Sequence, residues 1–317
     1  MKRVIITGAS GLVATELTVQ LLSKTDAIVY LLSTHIDNIQ ERYKEYKDRV
    51  FCFTLESFSL YAQENKDKEA FDICIHTAFS RSAKGNLIVD SINYQQELIK
   101  LLKQIGVKTF VNISSQSVYG KMSEPLWTES TPLEPDYLYA MGKYTSEVIT
   151  KLMLESSNIK WTNIRLCSVC ENARFIRVFV QNAINGNPIV LTASDQQCSF
   201  IEVRDVAEGL LSFIELADSV HLEQTYNLGA NLENTIGDIA KRVKRIGEEK
   251  YNLPFVVIEE LDSNNHIKIG MDATSFMQTF KWSPQYNMDD MITEMFEMLT
   301  NVNGGGYPLS FKLVYKL

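Results

Sequence analysis

Val4-Ile5-Ile6-Thr7-Gly8-Ala9-Ser10-Gly11-Leu12-Val13-Ala14 lies close to the start of the chain, and its reading decides the fold. An apolar run ending at Thr7 forms a strand, and a helix follows over Ala14–Leu22 with Leu17, Leu21 and Leu22 on one face. Between them, glycine at 8 and 11 lets the backbone turn tightly and approach a pyrophosphate, and the small Ala14 lets helix and strand pack closely. The free amides and positive dipole end of that helix then face a phosphate. Gly8, Ser10, Gly11 and Leu12 are therefore candidate cofactor-binding residues. The spacing is not Gly-x-Gly-x-x-Gly, and the lysine of a P-loop is missing.

Outward from this loop the pattern repeats. Ala27–Leu32, Val50–Leu55, Asp72–Thr77, Thr109–Ser114 and Trp161–Ser168 are short apolar runs, and Gln95–Gln104 is helical. Runs apolar throughout, separated by helices, indicate strands buried on both faces of a parallel sheet. The expected fold class is α/β, a Rossmann-type doubly wound sheet with a smaller C-terminal substrate-binding lobe. Beyond Cys170 helices are expected over Phe175–Asn185, Val206–Leu216, Thr235–Val243 and Met288–Leu299, with short strands at Ile189–Leu191 and Ser199–Val203. This predicts a dinucleotide-binding domain over 1–170 to which later segments return, and a lobe built mainly from 171–300. In the tail, 301–317, Leu309, Phe311, Leu313, Tyr315 and Leu317 alternate with other residues. That period of two predicts an edge strand on its own subunit, with strand addition to a neighbouring chain as the other reading.

The chain has 317 residues, 31 Lys+Arg against 39 Asp+Glu, and a formal net charge of −8. With 45% hydrophobic and 22% charged residues, it is an ordinary globular composition able to bury a core without staples. The acidic balance argues against a nucleic-acid partner. No apolar segment reaches the length of a signal core or a membrane span, so no membrane partner is expected. Five cysteines form no disulfide framework, and a cytoplasmic setting follows. The four histidines are scattered, and Cys167 and Cys170 have no second pair, so no metal site is expected.

An acidic residue at the end of the second strand would bond the adenosine 2′-hydroxyl and repel a 2′-phosphate. Here Ser33, Thr34 and His35 follow Leu32. Three hydrogen-bonding side chains without a carboxylate make NADP the preferred cofactor, with NAD still open. Farther on, Tyr139 and Lys143 stand four apart, hence on one helical face. A phenol starts near pKa ~10 and needs a positive neighbour to work as an acid–base group at neutral pH. Ser115 closes a strand at the sheet edge where ligands bind, placed to bond a reacting carbonyl or alcohol.

Phosphate loop, strand-end serine and Tyr–Lys helix, in that order, resemble the extended short-chain dehydrogenase/reductase family and its nucleotide-sugar epimerase, dehydratase and reductase branch. Asp72-Ile73-Cys74-Ile75-His76-Thr77-Ala78, Ser114–Gly120, Ile164-Arg165-Leu166, Phe200–Ala207, Tyr226-Asn227-Leu228-Gly229 and Trp282-Ser283-Pro284 carry the likeness further. The resemblance implies Ser115, Tyr139 and Lys143 as the catalytic set, with Tyr139, Lys143 and Cys167 also beside the cofactor. It implies that Thr77, Ala78 and Phe79 line the cofactor's phosphates or ribose, and that Arg81 reaches cofactor or substrate. Gln116, Ser117 and Ser168 become substrate-binding candidates, and a homodimer formed through a four-helix bundle is expected.

Two departures narrow the reading. Cys198 stands where many members place an arginine on the substrate pyrophosphate, and Gln116-Ser117 replace the Asp-Glu of the dehydratase branch. The expected activity is an NAD(P)-dependent keto-reductase acting on a small-molecule substrate, a nucleotide-activated sugar. The alternatives are a nucleotide-sugar epimerase that keeps NAD bound and a non-catalytic dinucleotide sensor, whose hallmark would be a broken triad.

Overall fold

Val4, Ile5 and Ile6 of the first strand are all fully buried, because the two faces of that strand look into different cores. Val4 and Ile6 join one hydrophobic cluster with Val29 and Leu31, while Ile5 joins the other with Tyr30 and Leu32. A strand covered on both sides has no use for alternation, which is why these runs are apolar throughout. In the computed structural model, residues 1–65, 70–82, 84–120, 126–192, 194–230, 234–254, 256–261 and 268–300 are described. The expected tail strand over 301–317 lies outside them.

Seven strands form the central sheet: β1 (Arg3–Thr7), β2 (Ile28–Leu32), β3 (Val50–Phe53), β4 (Ile73–His76), β5 (Thr109–Ser115), β6 (Lys160–Leu166) and β7 (Thr225–Leu228). All neighbours pair in parallel, in the order β7-β6-β5-β4-β1-β2-β3. Thr7 is in register with Leu32 on one side and His76 on the other. The chain order reverses between β1 and β4, and such a switch point opens a crevice at the carboxyl ends of the strands.

Helices α1 (Leu12–Lys24), α2 (Ile36–Arg42), α3 (Leu55–Asn65), α4 (Gly85–Ile105), α5 (Leu138–Leu154), α6 (Arg174–Ile184), α7 (Val203–Leu216), α8 (Ile236–Tyr251), α9 (Thr274–Phe280) and α10 (Met288–Thr300) complete the frame. α1 packs on α7 and α4 on α5. A separate cluster gathers Ile176, Phe179 and Val180 of α6 with Ile239 and Val243 of α8 and Ile292 and Phe296 of α10. By contrast α7, β7 and α9 contribute Val206, Tyr226 and Phe276 to the core of the large sheet. Among the described residues no helix is long and apolar enough to cross a membrane.

Several boundaries differ from those expected, each for a local reason. The run Val50–Leu55 stops at Phe53, because Thr54 and Ser57 exchange side-chain and backbone bonds that open α3 at Leu55. The single strand expected over Ser199–Val203 is instead two short ones, Gln197–Cys198 and Phe200–Ile201, pairing with different partners. Val203 already belongs to α7, whose N-cap Glu202 accepts a bond from the Arg204 amide. α8 runs past Val243 to Tyr251 and starts from a capping box made by Thr235 and Asp238.

Candidate active site

The glycine turn is built as a cradle. Gly8 has φ +67°, and a Cβ there would stand 2.8 Å from the backbone of Ala78 and from Thr77 Oγ1. Only glycine combines that backbone with that approach. Thr77 Oγ1 donates to Thr7 O at 2.7 Å and the Ala78 amide to Thr7 Oγ1 at 3.3 Å, so β1 and β4 are latched just beneath the turn. The Gly11 amide donates to Gly8 O, and α1 begins at Leu12 with no side chain capping its first-turn amides. These features fit a dinucleotide pyrophosphate.

Next to the cradle opens a cleft of about 780 Å³. It is lined by Gly11 and Leu12 after β1, by Thr77, Phe79 and Arg81 after β4, by Ser115, Gln116 and Ser117 at and after the end of β5, by Tyr139 and Lys143 on α5, and by Cys167 and Ser168 after β6. Gly8 and Ala78, half-buried, and Ser10, exposed on the turn, are not part of this lining. Ser33, Thr34 and His35 do not reach the cleft. They follow β2, whose last carbonyl accepts from the Ala9 amide at 3.3 Å, and Ser33 Oγ accepts from the His35 amide.

Within the cleft Ser115 and Tyr139 line the same wall, and the Phe79 ring meets Tyr139 edge-on at 6.0 Å. Burial raises the Tyr139 phenol above its ordinary value, against the lowering effects of the Arg81 charge and the Ser115 hydroxyl. One turn farther, Lys143 is buried; its Nζ donates to Ile113 O at 2.7 Å and sits 4.2 Å above the Phe79 ring. Burial brings Lys143 down to about 7, with the Glu147 carboxylate working the other way. Gln116 Nε2 donates to Ser168 Oγ at 2.9 Å, joining the ends of β5 and β6. Gln116 Oε1 and Ser117 Oγ are buried without a hydrogen-bond partner among the described residues. Cys167 is a thiol pushed up to about 12 by burial, which suits a wall and not a nucleophile.

The wall facing the smaller lobe went unread in the sequence. Trp127, Phe175, Gln196, Phe200, Ile236 and Ile269 line it together with Cys198. No local pattern marks these residues, because their meeting depends on how the lobe folds over the sheet edge. Glu147 was also missed, although its four-residue spacing from Lys143 is the same face-sharing signal that links Tyr139 to Lys143.

The family model described as NAD dependent epimerase/dehydratase family matches residues 4–229. A dTDP-glucose 4,6-dehydratase of Haemophilus influenzae is 24% identical over 202 residues, spanning 57% of this chain and 57% of that protein. An uncharacterized UDP-glucose epimerase of Bacillus subtilis is 22% identical over 96% of this chain and 99% of its own. The UDP-glucuronic acid 4-epimerase of Bacillus cereus, solved with UDP-glucuronic acid and NAD, superposes with a TM-score of 0.75. At 17% identity over 95% of this chain and 100% of that one, this likeness is one of fold.

Proposed function

This chain belongs to the NAD dependent epimerase/dehydratase family, and on that footing we propose that it is a nicotinamide-dependent keto-reductase acting on a nucleotide-activated sugar. The observation that carries the reading is the meeting of Ser115, Tyr139 and Lys143 in one cleft beside the Gly8–Gly11 cradle, with Tyr139 one turn before Lys143 on α5. With a dinucleotide's pyrophosphate in that cradle, its nicotinamide ring would supply the carbon that gives or takes a hydride.

The chain's own residues then handle the oxygen and its proton. Ser115 orients the substrate oxygen, and Tyr139 gives its phenol proton to that oxygen in reduction or takes it back in oxidation. Lys143 spends one of its three donors on Ile113 O, leaving two for a ribose hydroxyl and for the phenol side of the cleft. Gln116 holds the Ser168 hydroxyl toward the cleft, and its free Oε1 and Ser117 Oγ suit a polyhydroxylated ring. Neither amide nor hydroxyl replaces the carboxyl pair that removal of water would need.

An epimerase is the second reading, favoured by the UDP-glucuronic acid 4-epimerase of the same fold. For the cofactor, the complex of that neighbour speaks for NAD. The missing acid after β2 speaks for NADP, yet no cation stands among Ser33–His35, and Arg42 donates to Thr15 Oγ1. NAD is therefore the cofactor proposed. Leu87 and Val89 of α4 and Leu138, Met141, Tyr144 and Leu152 of α5 are exposed, which supports a homodimer through these two helices.

Mass spectrometry of the small molecules released on denaturing freshly purified protein tests this reading. A loosely held or absent dinucleotide, with reduced cofactor consumed on adding a 4-keto sugar nucleotide, is the expected result. Near-stoichiometric NAD together with interconversion of two sugar epimers would replace it with the epimerase. Protein that binds no dinucleotide would end both.

A further inference from the structure

Thr7, the last residue of β1, is in register with His76 at the end of β4, and it is held by consecutive residues from that strand end onward. Thr77 Oγ1 donates to the Thr7 carbonyl, the Ala78 amide donates to Thr7 Oγ1 at 3.3 Å, and His76 Nδ1 lies 2.8 Å from that same oxygen. Thr77 and Ala78 form the latch beneath the Gly8 turn; His76 stands behind it. Its side chain is buried, with the ring stacked against Tyr94 of α4 at 6.1 Å and Phe110 of β5 at 5.9 Å. Nε2 is buried with no hydrogen-bond partner among the described residues.

The direction of the 2.8 Å bond follows from where the protons can go. Burial brings the imidazole down to about 3, and the Lys143 charge adds to the effect, so the ring is neutral at working pH and one nitrogen carries its only N–H proton. Thr7 Oγ1 already accepts from the Ala78 amide, and its own hydrogen needs an acceptor. Among the described residues His76 Nδ1 is the one in reach. A ring proton on Nδ1 would leave both the Thr7 hydrogen and a bare Nε2 buried and unpaired. A ring proton on Nε2 leaves only that one N–H unpaired. Each buried unpaired group carries a desolvation cost, so the second arrangement wins.

We propose that His76 is a positioning residue for the dinucleotide cradle: as the Nε2–H tautomer it accepts from the Thr7 hydroxyl, and so fixes the oxygen that holds the Ala78 amide beneath the Gly8 turn. There is no slack at that point, since a Cβ on Gly8 would meet Ala78 N and Cα at 2.8 Å. Without His76 the Thr7 hydroxyl turns to another acceptor and lets go of the Ala78 amide, and the segment that carries Thr77 and Phe79 along the cleft shifts with it. The proposal rests on this cradle being the dinucleotide site.

Nitrogen NMR of the full chain with labelled histidine reads the tautomer before any ligand is added. The expected result is a bare Nδ1 and a protonated Nε2, unchanged through the region around pH ~6.5 where an ordinary histidine titrates. A proton on Nδ1 overturns the proposal. Calorimetric titration with NAD then reads the consequence in two variants. His76→Phe keeps a stacked ring and removes the acceptor, and NAD affinity should fall about tenfold, the order expected when a buried hydroxyl loses its partner. His76→Asn offers an amide oxygen near the position of Nδ1 and should recover most of that loss. Parental affinity in His76→Phe overturns the proposal, and so does a His76→Asn that binds no better than His76→Phe. Equal losses of urea stability with unchanged affinity would make His76 a core residue only, which overturns it too. Should the variants fail to fold, the His76 Nδ1 signal of the parent, followed as NAD is added, takes their place: it should move as the cradle fills, and a signal that stays still overturns the proposal. A parent that binds no NAD ends the cradle reading and this proposal with it, whereas NAD binding alongside the wrong tautomer ends this proposal alone.

Discussion

Arg165 on β6 grips Glu147 on α5 through both carboxylate oxygens, Nε to Oε1 at 3.0 Å and Nη2 to Oε2 at 2.7 Å, with both side chains 6% exposed. Ser114 Oγ donates to the same Oε1 at 2.5 Å, Arg165 Nη1 reaches the Tyr119 hydroxyl at 2.9 Å, and that hydroxyl donates to Asn227 Oδ1 at 2.7 Å. The network ties the carboxyl ends of β5, β6 and β7 to the helix that carries Tyr139 and Lys143. Its members are fully engaged with one another, the condition under which a buried polar network rigidifies a site.

Removing one partner leaves a buried guanidinium uncompensated, which typically costs about 3–5 kcal/mol. Glu147→Ala is therefore expected to lose about that much stability in urea unfolding. A loss under about 1 kcal/mol would mean that water or another carboxylate takes over the charge.

Tyr139→Phe keeps the ring contacts to Phe79 and Tyr137 and removes only the hydroxyl. The melting temperature should be unchanged, while turnover of any keto sugar nucleotide accepted by the parent falls by roughly 10²–10⁴-fold, the usual weight of a general acid–base group. A variant that turns over at the parental rate would remove Tyr139 from the mechanism.

What could be read from the chain was what is encoded locally. The uniform apolarity of Val4–Ile6, the turn at Gly8 and the Tyr139–Lys143 spacing each follow from neighbours a few residues apart. β7 and α9 escaped because their places depend on distant partners: Tyr226 and Phe276 fill the core of the large sheet only once the chain has returned from the lobe. The cleft's far wall escaped for the same reason. The commitment of Lys143 to Ile113 O is set by how α5 lies on β5, which no spacing reports.

Gly8→Ala tests the cradle. The new methyl group would press on the Ala78 backbone at 2.8 Å, and the left-handed conformation itself costs a non-glycine residue roughly 1–2 kcal/mol. Stability should fall by at least that amount, and NAD affinity by about tenfold or more as the turn is forced off the phosphate path, a factor of ten being about 1.4 kcal/mol. Isothermal titration of NAD and a urea melt read the two effects independently. Parental affinity in a folded variant would place the dinucleotide elsewhere.

Lys143 makes stability depend on pH in a direction that can be worked out. Burial brings its ammonium down to about 7, whereas in the unfolded chain a lysine loses its proton near 10.4 or so. Between those values the unfolded state holds a proton that the folded state has released, so stability rises with pH across that window. Below about 7 both states carry the proton, and the cost of the buried cation is present in full. Lys143→Met removes the titrating group and leaves Ile113 O without its donor, a loss that does not vary with pH. Relative to the parent, Lys143→Met should therefore fare best near pH ~6 and lose that advantage steadily toward pH ~10. Urea midpoints of both proteins at several pH values give the difference directly. An offset that stays constant would mean the ammonium keeps its ordinary proton affinity in the fold, and that Lys143 carries its charge into the cleft throughout.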